Sequence, residues 1–183
     1  MKFFVILALA IGPAASLLAA DGAAVNEADF TASPLPAGYK LKRADVPGGA
    51  SAAGQPEAAK PAVYACVNDK SKSRIVVSIT KLARPTDDDK KSYVSGFIDG
   101  IGEPLTKAGF KLASNDGVDL DKADFSKPYG ANLAYENGAS GKKLFFTIRV
   151  SFSDSAQVST VISTADKSAL KPLLEWVDSI KVK

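Results

Sequence analysis

The sequence predicts an α+β fold, an antiparallel β-sheet packed with two amphipathic helices. Three observations carry this. Short runs rich in β-branched and aromatic residues recur along most of the chain. Two longer stretches repeat their apolar residues at helical spacing. The loops between successive strand-like runs are mostly too short for the crossovers that parallel pairing needs.

The chain opens MKFFVILALAIGPAASLLAADGA, with Lys2 before an apolar run and small residues clustered from Ala14 to Ala24. This is the pattern of a signal peptide over residues 1–20, cut after Ala20 or, as a second choice, after Ala24. Retention as a membrane anchor is the competing reading, which Pro13 disfavours by interrupting the run. Lipid attachment would need a cysteine at the cut, and the only cysteine is Cys66. The expected location is therefore periplasmic or secreted.

Residues 21–61 read as an N-terminal segment and 62–183 as the globular α+β domain. Phe30, Leu35, Tyr39 and Leu41 can pin one short edge strand at Tyr39 to Lys42. From Ala44 to Ala62, 13 of 19 residues are Ala, Gly or Pro, a composition with too little apolar surface to offset ordering, hence a flexible loop. Val63 to Asn68 and Arg74 to Leu82 form a hairpin around a polar turn. Thr86 caps a helix whose first turn is Asp87, Asp88 and Asp89, where the helix dipole favours carboxylates. Tyr93, Phe97, Ile98 and Ile101 follow at helical spacing, and Gly102 with Pro104 is expected to break the helix. Brief strands at Phe110 to Ala113 and Ala131 to Glu136 flank an acidic loop. Lys143 to Ser153 is the clearest strand, with Leu144, Phe146, Ile148, Val150 and Phe152 on one side. Gln157 to Ser163 is another. A last helix spans about Asp166 to Ser179 with Leu170, Leu173, Leu174 and Val177 as its buried stripe. The order is thus β-β-β-α-β-β-β-β-α.

Cys66 is placed by the parity of the hairpin turn. An even turn sets it opposite Ile75 or Val77, on the face that Ile79 shares, so it is expected in the core as a small hydrophobe rather than as a reactive thiol.

The chain has no histidine, which removes His-based triads, imidazole acids and bases, and nearly all catalytic zinc sites. Ser140 to Lys143 and Ser168 to Lys171 spell S-x-x-K without the companion motifs of the penicillin-binding enzymes, and read as coincidence. Gly100 and Gly102 lack the third glycine of a dinucleotide fingerprint. The loop NDGVDLDKAD offers Asp116, Asp119 and Asp121, but aligning Gly117 with the turn glycine of an EF-hand puts Leu112 and Ala123 at ligand positions. A solvated loop is the expectation, an irregular calcium site the alternative. No cofactor and no metal is assigned.

With a net charge of +3 and both signs interspersed, no basic stripe suits a phosphate backbone, so nucleic acid is not an expected partner. No apolar run after the signal is long enough to span a bilayer. What remains is surface. On the outward side of the clearest strand stand Lys143, Phe145, Thr147, Arg149 and Ser151. Either a helix or the N-terminal segment covers Phe145, or Lys143, Phe145 and Arg149 form a partner patch with Arg149 as charged anchor.

LPAGYKL, RIVVSITKL, LTKAGFKL, KLFFTIRVSF, VSTVIST and LKPLLEWVDSIKV, spread over Phe30 to Val182, resemble the PsbP, DcrB and Mog-like superfamily in element order and hydrophobic pattern. The resemblance implies an antiparallel sheet flanked by helices and mostly non-enzymatic roles in assembly, binding or periplasmic assistance. It assigns no role to any residue. The expected function is that of an exported non-catalytic binding or accessory protein whose partner is another protein or a small ligand. The alternatives are an extracytoplasmic hydrolase using carboxylates or Ser and Lys, and a structural envelope component.

Overall fold

The computed structural model describes residues 24–44, 61–68, 70–81, 85–117 and 119–183. The predicted signal peptide and most of the Ala/Gly/Pro-rich loop lie outside them. In chain order the elements are β1 (Ala24–Asn26), β2 (Phe30–Pro34), β3 (Lys40–Ala44), β4 (Ala62–Asn68), β5 (Ser73–Lys81), α1 (Asp87–Lys107), β6 (Phe110–Asp116), β7 (Tyr129–Asn137), β8 (Lys142–Phe152), β9 (Ala156–Thr164), a 3-10 turn (Lys167–Ala169), α2 (Leu170–Asp178) and β10 (Lys181–Val182). Every strand pairing is antiparallel, and the fold is α+β.

The main sheet runs β3-β4-β5-β9-β8-β7-β6, and a small sheet runs β1-β2-β10. The predicted strands all form. The small sheet, built from very short strands, adds to them.

Two apolar cores lie on opposite faces of the main sheet and at opposite ends of it. On one face, α2 and the small sheet cover β3, β4, β5 and β9 with Phe30, Leu41, Tyr64, Cys66, Ile75, Val77, Ile162, Leu173 and Trp176. Phe30 meets Tyr64 edge-on at 5.0 Å and Trp176 at 6.5 Å. Trp176 Nε1 donates to the Ser33 carbonyl at 3.0 Å, so the indole is both buried and satisfied. On the other face, α1 covers β7, β8 and β9 with Val94, Phe97 and Ile101 against Leu133, Tyr135, Phe146, Ile148 and Val161.

Helix α1 starts where predicted. Asp89 N donates to Thr86 Oγ1 at 3.2 Å and Thr86 N donates to Asp89 Oδ2 at 3.0 Å, a reciprocal capping box. It does not stop at Gly102. A Cβ at Gly102 would lie 2.9 Å from Tyr135 Oη, so this glycine lets the helix approach the sheet closely instead of ending it. Pro104 leaves the Gly100 carbonyl without its i+4 donor, yet the helix runs on to Lys107. The stop is Gly109, at φ +83°. The last helix is likewise recast. Asp166 accepts from Ser168 N at 2.9 Å to cap the 3-10 turn, and the stripe of α2 is Leu173, Trp176 and Val177, with Leu170 and Leu174 half-buried beside it. The acidic loop is not wholly solvated, because Phe125 inserts into the α1 core beside Tyr129 and Phe152.

Candidate functional site

Because each helix covers only one end of the sheet, the face that α2 occupies continues past β9 across β8, β7 and β6 with no described element on it. Residues directly opposed in register share a face, and the rows can be followed strand to strand. Phe145 lies between Thr164 and Ala134, Arg149 between Thr160 and Gly130, and Lys143 opposite Glu136. The three predicted patch residues therefore stand on one face, spaced two apart or four apart along β8.

Arg149 is the most constrained of them. A Cβ on Gly130 would lie 2.5 Å from Arg149 Nη1 and 2.9 Å from Cζ, so the guanidinium rests in the space that Gly130 leaves open. Nη1 donates to the Ile148 carbonyl at 3.1 Å. No carboxylate among the described residues pairs with it. A planar cation held against backbone with donors to spare is preorganised for a carboxylate or another planar acceptor. Beside it Thr147, only 1% exposed, donates to Asn132 Oδ1 at 2.9 Å, which fixes the amide on the open surface. Phe145 is half-buried and belongs to neither apolar core. Lys143 is exposed, with its Nζ 3.6 Å from Glu136, an ion pair of small energetic weight in water.

The other candidates resolve into local structure. Asp119 pairs with Lys122 at 2.8 Å, Asp121 with Lys91 on α1, and Asp124 with Lys127 at 3.3 Å. The hydrogen bond and charge of Lys91 hold the Asp121 carboxyl below its usual range, and Ser126 does the same for Asp124 through its side chain and backbone. Asp116 sits on β6 opposite Asn132. Among the described residues no three carboxylates or thiols converge as a cation site would need. Ser140 lies in the β7–β8 turn and accepts from Lys142 N at 3.4 Å, while Ser168 Oγ donates to Asp166 at 2.7 Å. Cys66 is fully buried opposite Ile75, and burial pushes its thiol well above the ordinary value, so it is a core residue and a poor nucleophile. A shallow open depression at the end of β6 and β7 is lined by Asn115, Asp119, Lys122, Asp124 and Tyr129, and the carboxylates of Asp119 and Asp124 are paired with Lys122 and Lys127.

Sequence reasoning placed Thr147 on this surface but missed Gly130 and Asn132 as parts of it. The available signal was a glycine inside a strand pattern, which marks close approach of another group. The chain matches no protein-family model and no curated protein.

Proposed function

We propose that this is an exported, non-catalytic binding or accessory protein that engages its partner across the open half-face of β6, β7 and β8. The observation that carries the reading is the Arg149 guanidinium, seated over Gly130 without an acidic partner among the described residues. Phe145, four residues away on the same strand face, supplies an apolar contact, Lys143 a peripheral cation, and Asn132 an amide already oriented by Thr147. An aromatic and an arginine within a polar rim is the composition of energetic anchors at protein interfaces. The antiparallel sheet with a helix on each face is the architecture that the resemblance to the PsbP, DcrB and Mog-like superfamily implies. Export rests on the N-terminal pattern, with mature protein expected to begin near Asp21.

The test is site-directed photocrosslinking from position 145 in the native extracytoplasmic fraction, with mass spectrometry of the adduct. A single recurrent partner, lost in Arg149→Ala and in Gly130→Ala, supports the reading. Gly130→Ala is informative because it displaces the guanidinium without removing it. Equal capture by the wild type and both variants overturns it.

A further inference from the structure

We infer that the other half-face on which no described element lies, over β3, β4 and β5 on the side away from α2, is a docking surface for an acidic amphipathic helix of a partner protein. Two rows define it. Lys40, Val67 and Arg74 stand side by side in one, and Lys42, Ala65 and Val76 in the next, with Val63 beyond them on β4. An antiparallel strand with water on one side alternates apolar and polar residues. Strand β4 does not: Tyr64 and Cys66 face the α2 core, while Val63, Ala65 and Val67 face the other way. Val63, Val67 and Val76 are only half-buried, Ala65 between them is 1% exposed, and neither core includes any of the four.

Charge selects the occupant. Lys40, Lys42 and Arg74 have no ion pair among the described residues, and no Asp or Glu stands on the described strands of this half-face. A second copy of the chain would bring these cations against their own kind, which is repulsive. An anionic bilayer would answer the cations but not the valines, whose short side chains sit below the longer lysine and arginine stems on a flat sheet. A helix answers both. Its leucines reach down between the stems to the valines while flanking glutamates meet the ammonium and guanidinium groups. The same strands already accept a helix on their other side, where Leu173, Trp176 and Val177 of α2 pack.

The experiment titrates the intact protein with a fluorescent helical peptide of about five turns, with leucines along one face and glutamates flanking them, and with a twin in which lysine replaces glutamate. Affinity for the acidic peptide should fall about tenfold or more in Lys40→Glu/Lys42→Glu and in the milder Arg74→Gln. The twin should not bind, and the methyl resonances of Val63, Val67 and Val76 should shift on titration. Those methyls should also respond to a soluble paramagnetic agent in the free protein. Equal binding of both peptides, unchanged affinity in the folded variants, binding only to phosphatidylglycerol vesicles, or methyls shielded in the free protein each overturn the proposal. The last outcome would assign the face to the chain's own 45–60 segment.

Discussion

One row of side chains crosses all seven strands of the main sheet: Leu41, Cys66, Ile75, Ile162, Thr147, Asn132 and Asp116. The first four are 0% exposed, whereas the last two lie open to solvent. All seven strands are paired antiparallel, with one register shift in β6 between Leu112 and Ser114, so strand pairing alone does not decide burial. What changes is the layer above: described elements cover β3, β4, β5 and β9, and none lies over β8, β7 and β6. On the opposite face the order is reversed, with Ile148 and Ala131 buried under α1 and Lys40 and Lys42 at the far end. The two helices thus complete one diagonal of the molecule. The two binding surfaces we propose lie on the other diagonal.

The largest expected effect comes from truncation where two elements and the sheet meet. Phe30→Ala should cost about 3 to 5 kcal/mol, since it empties the contact joining β2, Tyr64 and Trp176. Urea unfolding followed by the single tryptophan reads it directly, and a loss similar to that of a surface change would break the comparison. Within the row itself, Cys66→Ser should cost about 1 to 3 kcal/mol by placing a hydroxyl where partners are scarce. Asp116→Ala, in the same row but uncovered, should stay within about 0.5 kcal/mol. A thiol reagent should label Cys66 slowly in the native state and rapidly in denaturant.

Two glycines of α1 sharpen the contrast between a covered and a free helix face. A methyl group added at Gly96 would have nothing within 4 Å, while one at Gly102 would abut Tyr135. Gly96→Ala should stabilise by about 0.5 to 1 kcal/mol. Gly102→Ala should forfeit that gain because the buried tyrosine must move, and thermal unfolding of the two variants side by side measures the difference.

The smallest effect is that of pH. Without histidine, stability should be nearly level between about pH 6 and 8. Asp89, Asp121, Asp124 and Asp166 are all held below their usual values, chiefly by hydrogen bonds to Thr86, Lys91, Ser126 and Ser168. A depressed carboxyl stabilises the fold above its unfolded pKa, and that contribution drains away as pH falls through the lower folded value. Decline should therefore begin only below about pH 4 to 5. Because these groups are exposed, added salt should flatten it.

Where sequence period and tertiary cover agree, the fold was legible. Strand β8 alternates because one side lies under α1, and an even turn placed Cys66 opposite Ile75 or Val77, of which Ile75 is its partner. The helix stop was misread because Gly102 and Pro104 obey a local rule that contact with Tyr135 overrides. Strands β1, β2 and β10 left no local trace, being two to five residues long with part of their pairing set by very distant positions. Trp176 and Phe125 escaped for a related reason, as each fills a space shaped by other elements. At the open half-face, alternation alone put Lys143, Phe145 and Arg149 together. That Gly130 seats the guanidinium depends on the register of β7 with β8, which periodicity does not contain.

The pairing of β2 with β10 carries a temporal consequence. Ser33 N donates to Ser179 Oγ across 146 positions, and Lys183 Nζ reaches Asn26 across 157. Closing so large a loop costs entropy before any contact rewards it. A chain delivered from its N-terminus, whether by a ribosome or through a membrane pore, must hold Val25, Phe30 and Ala32 unsatisfied until its far end arrives. Pulse-labelled chains halted before β10 should remain protease-sensitive at the N-terminal segment. Completion of the N-terminal segment is then a late event, timed by the emergence of α2 and β10.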